Sequence, residues 1–155
     1  SLLGIASPAI IRGNGSEIKS CVSDDVKTKG VDSLDSSDSA LEAAQQLYAA
    51  YGSTVVISGE TDYIVSSSDT IKIHNGDVLM TKVTGLGCTA TALCGAFAAV
   101  NPNTHLAAAH AMAVMGIAGE IAAEKATGPG TLQLHLYDTL YNLDLETIVA
   151  RLKAA

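Results

Sequence analysis

The segment Val83–Thr89 (VTGLGCT) follows an apolar stretch and precedes a predicted helix. Its two glycines allow the backbone to approach a ligand closely. The first N–H groups of a helix have no partners within the helix, and the helix dipole places about half a positive charge there. The sequence therefore predicts an anion hole for phosphate oxygens, formed by Gly85, Leu86, Gly87 and Cys88.

The same pattern has a simpler interpretation, because two glycines can merely form a tight turn before a helix. The segment is not a Walker loop, since no Gly-Lys-Ser/Thr follows, and it lacks the third glycine of a dinucleotide fingerprint. Cys88 can likewise be no more than a small buried residue at the helix start. The pattern alone leaves these alternatives open.

Two further polar turns follow apolar runs of strand length. Residues 12–17 (RGNGSE) come after the run 8–11, and residues 58–60 (SGE) come after the run 54–57. Ligands of open α/β sheets bind outside the carboxyl ends of the strands. We therefore expect Arg12, Ser58 and Gly85 to lie on one rim of the sheet.

The turn at residues 12–17 contains two charged side chains that suit nucleotide chemistry. Arg12 could bind a phosphate through charge-assisted hydrogen bonds. Glu17 could hold Mg²⁺ through water, because Mg²⁺ prefers carboxylates and keeps part of its hydration shell. Glu17 is equally explained as an acidic residue in the first turn of a helix, where the helix dipole favours it.

The elements that would position these turns alternate along the chain. We predict strands at 8–11, 54–58 and 78–83, a pair of edge strands at 62–65 and 70–73, and a loop at 23–39. We predict helices from Glu17 to about Val22, from a cap at Asp38 or Ser39 to Gly52, from Cys88 to Val100, from a cap at Thr104 to about Ala126, and from Thr131 to Leu152 with a break near Asn142. Ser16 is the predicted cap of the first helix. This order predicts an α/β fold with a mostly parallel sheet flanked by helices.

The composition limits the class of protein. The chain has 155 residues, 48% apolar and 16% charged, with a formal charge of −7, which suits one folded domain and excludes a disordered chain. Its nine basic residues are scattered, so we expect no nucleic-acid partner. Three cysteines without a C-x-x-C pair argue against a disulfide framework and against a zinc site.

The apolar stretch 106–123 is interrupted by His110 and Glu120, and therefore predicts a buried helix rather than a membrane span. The start, residues 1–4 (SLLG), has no basic region and no long apolar run, so no signal peptide is recognisable. We expect no membrane partner and a cytoplasmic location.

Several segments, taken together, resemble hydroxyethylthiazole kinases. They come in that family's order and at its spacings along essentially the whole chain: Ile11–Ile18, Gly30–Ser33, Val56–Tyr63, Met80–Cys88 and Gly128–Gly130. The resemblance implies a ribokinase-like layered fold. It also implies transfer of the ATP γ-phosphate to the hydroxyl of 4-methyl-5-(2-hydroxyethyl)thiazole in thiamine biosynthesis or salvage, with ATP and Mg²⁺ as cofactors. Homotrimers with active sites between subunits are implied as well.

The resemblance implies a role for individual positions. Arg12 and Ser58 would contact ATP, and Gly85 would lie against the thiazole substrate. Cys88 would stand where related ribokinase-like kinases place an aspartate base. The pair formed by Asn14 and Glu17 matches the N-x-x-E element that these kinases use around Mg²⁺ and phosphate.

The chain also departs from the family pattern. Leu86 stands where the family usually has threonine, which removes one donor beside the anion hole, and Ser58 stands where threonine is frequent. Family members are much longer, so we expect residues 1–155 to be a single kinase domain without the family's amino-terminal part. Two alternatives are another ribokinase-like kinase, for example one acting on hydroxymethylpyrimidine, and a non-catalytic nucleotide-binding remnant. Cys88 in place of aspartate argues against the first.

Overall fold

The computed structural model describes Leu3, residues 5–22, 36–67 and 69–155. Four strands are present in this part of the chain: β1 (Ile10–Asn14), β2 (Thr54–Ser58), β3 (Asp62–Val65) and β4 (Thr70–Ile73). The helices are α1 (Gly15–Cys21), α2 (Ser36–Tyr51), α3 (Leu86–Val100), α4 (Thr104–Lys125), α5 (Pro129–Asn142) and α6 (Leu145–Arg151), together with a 3₁₀ helix at Val78–Lys82. The predicted α/β class is confirmed.

The sheet has the order β1-β2-β3-β4. β1 pairs with β2 in parallel, whereas β2 with β3 and β3 with β4 pair antiparallel. Within the described residues the sheet is therefore mixed, and the mostly parallel pairing that we predicted is limited to β1 and β2. The connections explain this, since a parallel pair requires a long crossover while short turns join only antiparallel strands. β3, predicted as an edge strand, lies inside the sheet.

Helices cover both faces of this sheet. Side chains of a strand point alternately to its two faces, so Val55 and Ile57 contact the cluster around Ile18 and Leu47 of α1 and α2. Val56 points the other way, into the larger cluster formed with α3, α4 and α5. The continuous β-branched run of β2 is thus explained by burial on both faces.

α4 lies at the centre of the larger cluster. By length and composition this helix is apolar enough to cross a membrane. However, 67% of its apolar 18-residue stretch is buried inside the protein. Small residues dominate its buried positions, which include Ala108, Ala111 and Ala118. The predicted buried helix is confirmed.

Several predicted boundaries are wrong. Arg12–Asn14 were predicted to form a turn but belong to β1, because they pair with residues 56–58 of β2. α2 begins at Ser36, before the caps predicted at Asp38 or Ser39, and residues 23–35 of the predicted loop lie outside the described part. The stretch 78–83, predicted as a strand, contains the 3₁₀ helix, whose first turn is capped by Asp77 accepting a hydrogen bond from the Leu79 N–H at 2.8 Å.

Asparagine side chains, rather than the predicted hydroxyls, cap two helices. Asn14 Oδ1 accepts from the Glu17 N–H at 2.9 Å, and Glu17 Oε2 accepts from the Asn14 N–H at 2.7 Å, which makes a capping box for α1. Ser16, the predicted cap, instead donates to Asn14 Oδ1. Asn103 caps α4 through the Leu106 N–H, and the predicted cap Thr104 is the first helical residue.

Residues 153–155 pair with the outer edge of β4. The Lys72 N–H donates to the Ala155 carbonyl at 2.8 Å, and the Ala155 N–H donates to the Lys72 carbonyl at 3.0 Å. The His74 N–H donates to the Lys153 carbonyl at 2.8 Å. The edge of the sheet farthest from β1 is therefore covered by this carboxy-terminal segment.

Candidate functional site

A cavity of about 740 Å³ opens beside the ends of β1 and β2. Its walls come from five parts of the chain: Arg12, residues 58–62, residues 74–81, the first turns of α3 and the middle of α4. A second cavity of about 510 Å³ lies among α4, α5 and α6, and none of the predicted site residues lines it. The first cavity is therefore the candidate functional site.

Arg12 joins three elements at this cavity. Its Nη2 donates to Ser58 Oγ at 2.6 Å, and its Nη1 donates to the Gly87 carbonyl at 3.0 Å. One guanidinium from the middle of β1 thus connects this strand with the end of β2 and the first turn of α3. The structure brings Arg12 and Ser58 together, and Leu86 and Gly87 of the glycine turn line the same cavity, whereas Gly85 and Cys88 are not among its lining residues. The expected rim of three strand ends is wrong in part, because Arg12 lies in the middle of β1 and the glycine turn follows the 3₁₀ helix rather than a strand.

The Arg12 guanidinium retains unused donors. Its Nε is buried and has no hydrogen-bond partner. Among the residues that the structure describes, no other buried side-chain nitrogen or oxygen atom lacks a partner. Each Nη also carries a second hydrogen beyond the one in the bonds above. The side chain lines the cavity, so these donors and the positive charge suit an anionic ligand.

The glycine turn exposes the amino end of α3. Gly85 is the N-cap, in the left-handed region with φ 92°, and no side chain caps the helix. Backbone donors of the first turn thus lack a side-chain partner, as an anion hole requires. The helix starts at Leu86, two residues before the predicted start at Cys88.

The four residues of the predicted anion hole have different surroundings. The Leu86 side chain is buried in the core, so its N–H is the only polar donor that it contributes. A Cβ on Gly87 would lie 2.8 Å from Arg12 Nη1, which shows how closely the guanidinium approaches the turn. Cys88 is exposed, with a free thiol, which argues against the alternative of a buried cap residue.

Asn14 and Glu17 lie at the start of α1 and do not line the cavity. Within the described ranges, no cluster of three or more His, Cys, Asp or Glu side chains could hold a metal ion. Glu17 uses one carboxylate oxygen in the capping box, and its other oxygen is left for solvent or a hydrated ion. These residues thus offer a hydrated Mg²⁺ one carboxylate oxygen, outside the cavity lining.

Asp62 is a site residue that the sequence patterns did not single out. It is 7% exposed, lines the cavity, and accepts a hydrogen bond from the Gly59 N–H at 3.0 Å. Burial raises the pKa of its carboxyl to about 6, although the Gly59 hydrogen bond and the charge of Arg12 act in the opposite direction. The sequence pattern that could have identified Asp62 is an acidic residue three positions after Gly59, the glycine of the turn that follows β2.

We expect Asp62→Asn to stabilise the protein at neutral pH but not in acid. The folded-state pKa of Asp62 lies above its ordinary value of 3.8, so between about pH 4 and 6 the folded protein binds more protons than the unfolded chain. The contribution of this group to stability therefore falls as pH rises through that window. Asparagine keeps the acceptor for Gly59 without the charge.

At about 1.4 kcal/mol per pKa unit, the stability advantage of Asp62→Asn should grow from near zero at pH 4 to as much as about 3 kcal/mol at pH 7. Urea unfolding of both proteins at the two pH values measures this difference. An advantage that does not change with pH would show that the Asp62 carboxylate is not destabilised by burial. Exposed Asp138, changed to Asn, is the matched control.

The sequence matches the family described as "HK: Hydroxyethylthiazole kinase family" over residues 1–146. A hydroxyethylthiazole kinase of Vibrio parahaemolyticus is 58% identical over 149 residues, which cover 96% of this chain and 56% of the relative. One from Syntrophus aciditrophicus is 59% identical over 153 residues, covering 98% and 57%. The chain thus spans about half the length of the curated relatives that it matches.

A solved structure shares the fold. The hydroxyethylthiazole kinase protein from Pyrococcus horikoshii OT3 superimposes with a TM-score of 0.80 at 30% sequence identity, over 94% of this chain and 54% of that one.

Proposed function

The chain belongs to the hydroxyethylthiazole kinase family, and we propose that its protein phosphorylates the hydroxyl of 4-methyl-5-(2-hydroxyethyl)thiazole with ATP, in thiamine biosynthesis or salvage. The observation that carries the proposal is the Arg12 guanidinium, which joins Ser58 to the α3 turn inside the cavity and keeps donors for an anion.

Nucleotide phosphates bind, in this proposal, between Arg12 and the amino end of α3. Arg12 and Ser58 contact ATP. The backbone N–H groups from Gly85 to Cys88 donate hydrogen bonds to the oxygens of the phosphoryl group while it is transferred to the alcohol. Phosphoryl transfer depends mainly on positioning and charge stabilisation, and both a guanidinium and a helix amino end supply positive potential.

The metal belongs to the same proposal. Glu17 would hold Mg²⁺ through water, with a weaker contribution from Asn14. The ion, when bound, neutralises phosphate charge. Glu17 and Asn14 are held in place by their mutual hydrogen bonds at the start of α1, so the carboxylate keeps a fixed orientation.

The chemical step needs little from the protein beyond orientation. The thiazole substrate lies against Gly85, its hydroxyl oxygen bonds to the γ-phosphorus, and the bond from that phosphorus to the ADP oxygen breaks. The hydroxyl proton passes to the sulfur of Cys88 in its thiolate form, which becomes a thiol. Because an alkanol is a much weaker acid than a thiol, this transfer occurs late, when the new bond to phosphorus has largely formed.

The remaining expectations extend to the whole protein. We propose that residues 1–155 form a single ribokinase-like kinase domain. The intact protein is a homotrimer in the cytoplasm and has no nucleic-acid or membrane partner. Its charge of −7 with scattered basic residues supports the absence of a nucleic-acid site.

A kinase assay of the intact protein tests the substrate. We expect ADP release that requires the thiazole alcohol and Mg²⁺, and no comparable release with hydroxymethylpyrimidine, measured by a coupled enzyme assay. Turnover of the pyrimidine alone would favour the alternative kinase. Nucleotide binding without turnover of either alcohol would favour a non-catalytic remnant.

A further inference from the structure

The cavity wall formed by residues 76–81 comes from a segment that the preceding sections leave without a role. Asn75, immediately before it, is 4% exposed and polar. Gly76, Asp77 and Met80 of this wall line the cavity that also contains Arg12 and Ser58. What holds Asn75 therefore determines where the wall lies.

Three hydrogen bonds occupy the Asn75 side chain. Its Nδ2 donates to Glu120 Oε1 at 3.1 Å and to the Arg151 carbonyl at 2.8 Å, and its Oδ1 accepts from the Lys153 N–H at 2.8 Å. A buried amide with such partners is fixed in one orientation, because losing any of them leaves an unpaired buried polar group. Asn75 thus ties the wall to α4 and to the carboxy-terminal segment.

Glu120 is the second half of this arrangement, on α4. Besides Asn75, its Oε1 accepts from the Gly76 N–H at 3.0 Å and from Lys153 Nζ at 2.9 Å. Burial acts to raise the pKa of Glu120, but the hydrogen bonds from Gly76, Lys153 and Asn75 outweigh it, so its pKa lies below the ordinary value. The carboxylate is therefore charged at neutral pH, when its hydrogen bonds are strongest.

The packing against α4 leaves no room for this wall to shift inward. A Cβ on Gly116 would lie 2.5 Å from the Asn75 carbonyl oxygen, and one on Gly119 would lie 2.2 Å from Met80 Sδ. Gly116 and Glu120 are one turn apart on the same face of the helix. The glycine lets the wall approach, and the carboxylate holds it there.

We propose that Asn75 and Glu120 are positioning residues for nucleotide binding, because they hold the wall 76–81 of the cavity in place. Asn75 lies in the cavity lining with its side-chain amide occupied by three hydrogen bonds, and Glu120 lies outside that lining. The inference rests on the proposed function, because it takes the ligand of this cavity to be ATP. It assigns a role in substrate affinity to two residues outside the phosphate-binding turns. Their loss displaces the wall and leaves Arg12, Ser58 and the α3 turn intact.

The test compares Glu120→Ala with Glu124→Ala in the intact protein. Glu124 lies one turn farther along α4 and forms an ion pair with Arg151 at 2.6 Å on the surface. Glu124→Ala is therefore a control that also removes one carboxylate from α4. We expect Glu120→Ala to raise the KM for ATP and the Kd for ATP about tenfold, with kcat at saturating ATP within about twofold of the parent. Glu124→Ala should leave all three constants unchanged.

A conservative variant and an exchange measurement separate positioning from mere stability. Glu120→Gln keeps an acceptor for Gly76 and should recover most of the ATP affinity, although its melting temperature need not recover. Amide hydrogen exchange at Gly76 should be slow in the parent and in Glu120→Gln, and faster in Glu120→Ala. If Glu120→Ala does not fold, Asn75→Asp and Glu120→Gln are compared through the same constants.

The outcomes distinguish the positioning role of Asn75 and Glu120 from the proposed ATP-binding function on which it rests. A parent that binds no ATP overturns both. A parent that binds ATP, with Glu120→Ala binding it equally well, overturns the positioning role alone. A lower melting temperature with unchanged KM and Kd for ATP also overturns it, since Glu120 would then be only a structural residue.

Discussion

Replacing Arg12 by alanine should weaken ATP binding ten- to hundredfold. A charge-assisted hydrogen bond to phosphate contributes about 1.5–3 kcal/mol, and Arg12 brings the charge and the free donors of the cavity. The substitution also removes the hydrogen bonds that Arg12 donates to Ser58 Oγ and to the Gly87 carbonyl, which join the α3 turn to β1 and β2. Calorimetric titration of the intact protein with ATP measures the change.

Two control variants define what Arg12 does. Lys125→Ala removes an exposed positive charge that does not line the candidate cavity, and it should not alter ATP affinity. Arg12→Lys keeps the charge but lacks the planar fork that reaches Ser58 and Gly87 together, so it should recover only part of the loss. If the parent and Arg12→Ala bind ATP with equal affinity, Arg12 does not bind the nucleotide and only stabilises the contact between β1, β2 and α3.

Replacing Cys88 by alanine should lower kcat about a hundredfold while the affinity for ATP stays unchanged, because a positioned proton acceptor contributes roughly 10²–10⁴ in rate. Cys88 is exposed on the first turn of α3, where a substrate held at Gly85 would reach it. Steady-state rates and separate ATP titrations distinguish the two constants.

Cys21→Ala is the matched control, since Cys21 is another exposed free cysteine, at the end of α1. It should retain the parental kcat. Cys88→Asp should also retain activity, because a carboxylate can accept the same proton. A Cys88→Ala protein with full kcat would support the alternative of a small residue at the helix start.

The turn after β2 was predictable from a local sequence pattern together with a general rule about α/β sheets. An apolar run followed by a polar, glycine-containing turn marks a strand end, and α/β sheets place such ends at the ligand site. This rule located Ser58 at the end of β2, but Arg12, which it placed in a turn, lies in the middle of β1 and reaches Ser58 from there. The bonds from the guanidinium to Ser58 Oγ and the Gly87 carbonyl depend on tertiary packing and had no pattern of their own.

Other features were beyond local patterns. The apolar residues 78–80 suggested a strand, but the Asp77 cap and the contact of Met80 with α4 favour a 3₁₀ helix. Asp62 gains its raised pKa only because the folded chain buries it. The hydrogen bond from the Lys153 N–H to Asn75 Oδ1 joins residues 78 positions apart. A contact at that separation cannot be predicted from the pattern of a single sequence.

The pairing of residues 153–155 with β4 has a consequence for the nascent chain. Synthesis proceeds from the amino terminus, so Ile73 is made long before Lys153, and β4 stays unpaired along its outer edge during that interval. An exposed strand edge is a template for association with other chains. Substitutions that weaken this late pairing should therefore reduce the yield of soluble protein during expression more than they reduce the stability of molecules that have already folded.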